Sequence, residues 1–542
     1  MKQQFLAAVL TAALLAGCTS KPASTAPSST ASAAASTVDV HQDAAAVRAA
    51  NSNADAATLS AAGAKTITAA QGTVTISEAG TYRLTGTIDG QVVVDAGDAD
   101  VTLVLDNVTI TSTSSAAIAV TAAGEVAVVL AEGSTNTLSD TGGYAGDADV
   151  NAALYSAADL TIGGTGTLVV HGNGNDGITG KDDLTITGGT VDVTAADDGI
   201  RGKDALVVTG GTITVTAGGD GLTADNDEKA DAGYVDLRGG TVDITAGGDG
   251  VSAATDLVVT GGTVTVDAGS SGADTSKKGL KSGVVTVLEG GTVSVTATDD
   301  AVHSDGAVHL HGATLTLSAG DDGVHAEHAL LIDAGTVDVT RSYEGIESAD
   351  ITVSGGDTTI VSSDDGLNAS GSATGQDQGG GRGGGEQVGP YQATITGGTL
   401  TIDAEGDGFD SNGTAEITGG TVVVNGPARS GNGALDVNGS FTISGGELVA
   451  TGSAGMAVAP ATGSAQGWLS ATLSGTVAAG TTIRITTADG IEIATVTTTK
   501  AIQNLVYSSA KVTSGTQYTV TAGASTATVT AGQSPTRSGG RR

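Results

Sequence analysis

The sequence predicts an all-β chain built mainly as a parallel β-helix, on three observations. Its 542 residues contain 85 Gly but only 6 Pro, 8 Tyr, 3 Phe and 1 Trp. Thr and Val dominate the short runs between the glycines. One pattern also recurs with a period near 22 residues, as in DLTITGGTVDVTAADDGIRGK (183–203) and ALVVTGGTITVTAGGDGLTAD (205–225). β-Branched residues favour pleated strands and glycine supplies tight turns, so this balance reads as many short strands and few helices. A period of 20–50 residues marks stacked repeats.

Each unit holds a run like LTIT, a Gly-Gly turn, a run like TVDVTA, an acidic-Gly turn and a third run like GIRGK. Three strands and three turns in about 22 residues make one coil, stacked on the next at about 4.8 Å. The acidic marker recurs at Asp176, Asp198, Asp220, Asp249, Asp300, Asp322, Glu344, Asp365 and Asp407, with Lys278 standing in once and Ala301 replacing the glycine after Asp300. Two positions later runs an unbroken apolar ladder: Ile178, Ile200, Leu222, Val251, Leu280, Val302, Val324, Ile346, Leu367, Phe409. Such a ladder is expected inside the solenoid, where each coil buries its apolar edge against its neighbours.

The elements follow in order. MKQQFLAAVLTAALLAGCTS has basic Lys2, an apolar run and Leu15-Ala16-Gly17-Cys18, which resembles a bacterial lipoprotein signal whose Cys18 is acylated. Cys18 is the sole cysteine, so no disulfide is expected. Residues 19–55 are Ser, Ala and Thr rich and read as a disordered linker. Residues 56–150 keep strand patterns without the marker (TYRLTGTI, VTLVLDNVTI) and read as N-terminal coils or cap. Residues 151–455 carry the marked coils. Residues 456–530, with IRITTADGIEIATVTT and TQYTVTAG, read as a small C-terminal β unit, and 531–542 as a disordered tail.

Chemistry is expected on the outward positions. The formal charge of −37 argues against a nucleic-acid partner and favours cations. Three residues after each marker lies a polar ladder: Arg201, Thr223, Ser252, Lys281, His303, His325, Glu347, Asn368, Asp410. His303 and His325 should sit about 5 Å apart on successive coils, with Asp305 and Glu327 two residues beyond on the same side. His309, His311 and His328 fall elsewhere, so a zinc site is not expected and an exposed polar face is.

Carboxylates stacked at coil spacing repel by roughly 3 kcal/mol per pair at an effective dielectric near 20. Each is expected to fold back on its own turn's N–H groups. Calcium bridging is the second expectation, with candidate ligands Asp198, Asp220, Asp249, Asp300 and Asp322 on the rail and Asp225 and Asp227 in the seven-residue insertion TADNDEKAD. Lys278 is expected to pair with Asp249 and Asp300.

The ordered motifs LAGC, TYRLTGTI, NAALYSAADLTIGGTGTLVV, DDAVHS, DDGVHAE, SYEGIE and NGPARSGNGALD resemble a bacterial cell-surface carbohydrate-binding domain family related in fold to pectate lyases. The resemblance covers about residues 56–455. It implies a right-handed parallel β-helix, lipid-anchored on the extracellular face, that binds polysaccharide such as pectic acid or cellulose with Ca²⁺ and without established lyase activity. It directs attention to Asp299–His303, Asp321–Glu327 and Tyr343–Glu347. Together with the polar ladder, this makes Arg201, Lys281, His303, Asp305, His325, Glu327 and Glu347 the candidate carbohydrate contacts, with no catalytic residue assigned. Two alternatives stand beside this reading: a calcium-dependent polysaccharide lyase using Lys278 or Lys281 as base, and a structural adhesin or surface spacer.

Overall fold

The computed structural model describes residues 38–51, 56–145, 148–269, 276–371 and 388–534. Cys18, the signal segment and residues 535–542 of the tail therefore lie outside the described residues.

The repeat arithmetic translates into parallel pairing at one-coil offsets. Ile178 pairs with Ile200 and Ile200 with Leu222; Leu184 pairs with Leu206 and Val191 with Ile213. All these pairs are 22 residues apart. The two seven-residue insertions lengthen the offset but not the register, since Leu222 still pairs with Val251 and Val251 with Leu280. The result is a nearly all-β solenoid, most of its strands joined in one long, predominantly parallel sheet. Every residue of the apolar ladder from Ile178 to Phe409 is fully buried. Burying each aliphatic side chain is worth about 1.5–3 kcal/mol relative to exposure, and this core runs the length of the coils. Phe409 stacks on Phe441 with ring centroids 6.3 Å apart.

The marker glycine has a steric cause. A Cβ at Gly199 would lie 2.2 Å from Val215 Cγ1 and 2.6 Å from the Gly221 carbonyl oxygen; one at Gly279 would lie 2.1 Å from Val295 Cγ1. The facing residue at Gly177, Gly221, Gly250, Gly323, Gly345, Gly366 and Gly408 is likewise Val or Ile. By the repeat, the residue facing Ala301 is Leu317, which has no branch at Cβ. The methyl of Ala301 thus takes space that a β-branched neighbour would fill, and the local coil-to-coil bond from Val302 N–H to Gly323 O is 3.3 Å against 3.0 Å for Ile200 N–H to Gly221 O. In the Gly-Gly turns the second glycine has positive φ, 89° at Gly189 and 99° at Gly211, a region costly for residues with a Cβ.

At the far end, Ile502–Ser508 pairs antiparallel with Glu447–Gly452 and with Trp468–Val477, ending the parallel stack. A separate four-stranded antiparallel sheet follows.

The linker expected over 19–55 is corrected in its last part. Residues 38–51 form a strap on the solenoid that contains the helix Ala44–Ala50. Ala44 and Val47 are buried against Val258, Val285, Val287 and Ala307. Arg48 donates from Nε and Nη2 to the fully buried carboxylate of Asp236, both at 2.7 Å, and Asn51 Nδ2 donates to Asp256 Oδ2 at 2.8 Å. Two apolar side chains make no visible periodicity; the anchoring is supplied by polar partners some 200 residues away. Among the described residues no helix is long and apolar enough to cross a membrane.

Candidate functional site

The marker carboxylates form a rail, but not by folding onto their own turns. Asp198 Oδ1 accepts from the N–H of Asp220 at 2.9 Å, Asp220 Oδ1 from Asp249 at 2.7 Å, Asp249 Oδ1 from Lys278 at 2.9 Å, and Asp300 Oδ1 from Asp322 at 3.1 Å. Each of these four acids therefore caps the amide of the next coil's marker. Parallel stacking brings that amide beneath the carboxylate, and the bond offsets part of the repulsion between neighbours. The offset is incomplete: burial first, then the charges of Asp249 and Asp198, push Asp220 up to about 6.

Lys278 interrupts the rail where the sequence places it, and of its two expected ion-pair partners it keeps Asp300 but exchanges Asp249 for Asp299. Its Nζ lies 2.7 Å from Asp299 and 3.0 Å from Asp300, while Asp249 Oδ2 takes Lys281 Nζ at 3.2 Å. Against the lowering effect of burial, the bonds to Asp299 and Asp300 raise the Lys278 pKa. The ammonium form is thereby favoured, the opposite of what a general base requires.

The polar ladder is in register throughout: Arg201 beside Thr223, Lys281 beside His303, His303 beside His325, His325 beside Glu347. The His303 and His325 rings are 5.1 Å apart. His303 Nδ1 lies 2.8 Å from Asp300 and Nε2 lies 3.0 Å from Asp305; His325 Nδ1 lies 2.9 Å from Asp322 and Nε2 lies 3.8 Å from Glu327. The expected exposed face is corrected here, because His303, Asp300 and Asp322 are buried and His325 and Glu347 are half-buried.

The rail and the ladder, assigned to different tasks from sequence, therefore meet in one centre. Potential ligand atoms of Asp300, His303 and His325 lie within 4.8 Å of one another, as do those of Asp322, His325 and Glu347, and of Asp299, Asp300 and Asp321. Burial alone would lower the His325 pKa, but the bond to Asp322 and the charges of Asp322, Asp300 and Glu347 raise it to about 9. Burial, opposed by His303 and Lys278, leaves Asp300 lowered to about 2, whereas burial and the charges of Asp300 and Glu347 raise Asp322 to about 7 despite His325.

Donor chemistry divides the calcium expectations. Asp299, Asp300 and Asp321 offer oxygen only, which suits a hard cation, but Lys278 already answers two of them. The centres containing His325 mix nitrogen and oxygen. Asp198, Asp220, Asp225, Asp227 and Asp249 fall in none of the convergent groups found among the described residues. Asp225 instead holds Arg201, with Nε to Oδ1 at 3.0 Å, and Asp227 is exposed. On the rail, the amide bonds use one carboxylate oxygen and leave the other, as at Asp198 and Asp220, for a further partner.

Two further features gain their setting only in the structure. Tyr343 stands half-exposed one residue before marker Glu344, where it lines an open cleft with Arg341, Val361 and Glu405. His309, His311 and Asp333 form another convergent group. Asp333 follows His311 by one 22-residue period, a signal the repeat contained.

The fold and its centre define a solenoid of parallel strands that presents an ordered acidic and polar face along successive coils. A family model described as carbohydrate-binding domain-containing protein matches residues 70–323. A relative of the same description from Acetivibrio thermocellus is 44% identical over 128 residues, 22% of this chain and 45% of that protein's length. A solved structure described as the polysaccharide lyase-like protein from C. thermocellum, a gadolinium derivative, is 32% identical over 48% of this chain and 87% of that chain, with a TM-score of 0.34.

Proposed function

We propose that this is a non-catalytic carbohydrate-binding protein whose polar ladder receives a polysaccharide chain along the coil axis, with Arg201, Lys281, His303, Asp305, His325, Glu327 and Glu347 as contacts. The carrying observation is the in-register row from Arg201 to Glu347, which repeats hydrogen-bonding side chains at one-coil spacing beside the acid rail. The carbohydrate-binding family match over 70–323 includes all of this row except Glu327, His325 and Glu347. Tyr343, exposed in its cleft with Arg341, Val361 and Glu405, offers an aromatic face on which a sugar ring can stack.

An acidic glycan such as pectic acid approaches a chain of formal charge −37, so a cation must bridge the two sets of carboxylates. Ca²⁺ at the free oxygens of the rail supplies that bridge, since it takes carboxylate oxygens readily. Right-handed winding fits the strong preference of parallel crossovers. Acylation at Cys18 would hold the protein on the outer face of the membrane. The lyase alternative is weakened by the ion-paired state of both lysines proposed as base.

The test is binding of the mature protein to pectate and to cellulose, with Ca²⁺ and then with excess chelator, while circular dichroism follows the fold. Binding to pectate that chelator abolishes without loss of β signal supports the proposal. Binding to neither polymer in either condition favours a surface spacer, and release of unsaturated sugar from pectate restores the lyase.

A further inference from the structure

A second histidine cluster lies outside the polar ladder, beneath the N-terminal strap. His309 and His311 are two residues apart on the strand Ala307–Ser318 and so project from the same face; Asp333 follows on the next coil. His309 Nε2 lies 3.1 Å from Asp333 Oδ2, His311 Nδ1 lies 2.6 Å from Asp333 Oδ1, and the rings are 4.8 Å apart. His309 is almost fully buried, while His311 and Asp333 are reachable from solvent.

The remaining nitrogen of His309 decides the chemistry. Its Nδ1 lies 2.8 Å from the backbone carbonyl of Gln42 on the strap. A carbonyl can only accept, so Nδ1 carries the hydrogen. In the neutral imidazole Nε2 then presents a lone pair toward a carboxylate oxygen, acceptor facing acceptor. Either a second proton or a cation must sit between them. A histidine whose outer N–H is fixed by a backbone carbonyl, with its inner nitrogen facing a second imidazole and a carboxylate, has the arrangement of a metal ligand with its supporting shell.

We propose that His309, His311 and Asp333 bind a divalent cation of borderline softness such as Zn²⁺, and that through the His309–Gln42 bond this cation clasps the strap 38–51 to the solenoid. Two imidazole nitrogens and one carboxylate oxygen suit Zn²⁺ and are poor donors for Ca²⁺, which takes six to eight oxygens. Three protein ligands leave a position for water. Negative charge gathers around the site: Glu289 Oε2 accepts from the N–H of Ala44 at 3.0 Å, and Asp43 caps the helix through Ala46 N–H at 2.8 Å. The proposal is independent of glycan binding.

The experiment is calorimetric titration of ZnCl₂ into tag-free, chelator-stripped mature protein carrying His303→Gln and His325→Gln, so that the ladder histidines do not contribute. One equivalent is expected to bind, with affinity at least tenfold weaker after His311→Gln or Asp333→Asn and no displacement by millimolar Ca²⁺. His311 is partly exposed, so its variant should keep the fold, which circular dichroism verifies. Hydrogen exchange of residues 38–51 should slow when Zn²⁺ is added to the parent and not in His311→Gln. Absence of binding, or binding that survives both substitutions, overturns the site; binding without slower strap exchange overturns the clasp.

Discussion

Replacing Lys278 with Met tests whether the rail's charge balance is local. The ammonium contacts Asp299 at 2.7 Å and Asp300 at 3.0 Å, and the side chains are 18%, 17% and 4% exposed. At an effective dielectric near 20, each contact carries about 5–6 kcal/mol of gross attraction, most of it offset by desolvation. Breaking a buried pair costs about 3–5 kcal/mol because the partner is left uncompensated. Two features reduce that here: the lysine retains some solvent, and Asp300 keeps its bond to His303 at 2.8 Å. A cost of about 2 kcal/mol remains, which lowers the urea midpoint by roughly 0.5–1 M in chelator. The midpoint is the quantity to read, because long repeat arrays need not unfold in one step. Met preserves the packing of the aliphatic stem, so the loss reports charge. The variant also frees the oxygen-only group of Asp299, Asp300 and Asp321, so millimolar Ca²⁺ should raise its midpoint more than that of the parent. An unchanged midpoint in chelator refutes the charge argument; an equal calcium effect on both proteins refutes the assignment of that group as a latent oxygen site.

Three further outcomes are expected. Gly199→Ala should cost about 1–3 kcal/mol by overpacking against Val215, and Val215→Leu in the same chain should recover part of it, reproducing the Ala301–Leu317 solution; denaturation of the single and double variants measures this. In chelator the folded chain should gain stability as pH falls from about 8.5 to 5. Asp322, Glu344, Asp365 and Asp410 are raised to about 7, 8, 7 and 8, by burial first and then by neighbouring carboxylates, so their contribution is fully present below about pH 4 and is lost as pH rises through those values. His325, raised to about 9, acts in the same direction above pH 6.5, and a flat or rising thermal midpoint over this range would contradict the ladder's charge balance. Finally, His325→Gln together with Glu347→Gln should weaken pectate binding at least tenfold while the β-sheet spectrum is retained.

The register was legible because a stacked repeat makes spatial neighbours out of residues one period apart. Placing His303 against His325 and Ile178 against Ile200 needed only the marker spacing, and the structure pairs both. The direction of the acid hydrogen bonds was not legible, since an Asp followed by Gly serves equally for a turn closed on itself and for one capping the coil below. Burial of His303 was hidden for a related reason: the alternation of a strand says which side chains leave the core, and not how deeply neighbouring turns then cover them.

The sequence by itself determined the coil, its 22-residue offset, the apolar ladder and the positions at which polar groups repeat, because all of these follow from local turn chemistry and periodic burial. Only the tertiary structure decided that rail and ladder share one centre around His325, that the ammonium of Lys281 rather than that of Lys278 pairs with Asp249, and that residues 38–51 close over His309. These contacts join segments separated by up to 267 residues or depend on which oxygen of a carboxylate is already engaged. Neither fact is periodic, so no repeat in the chain announces it.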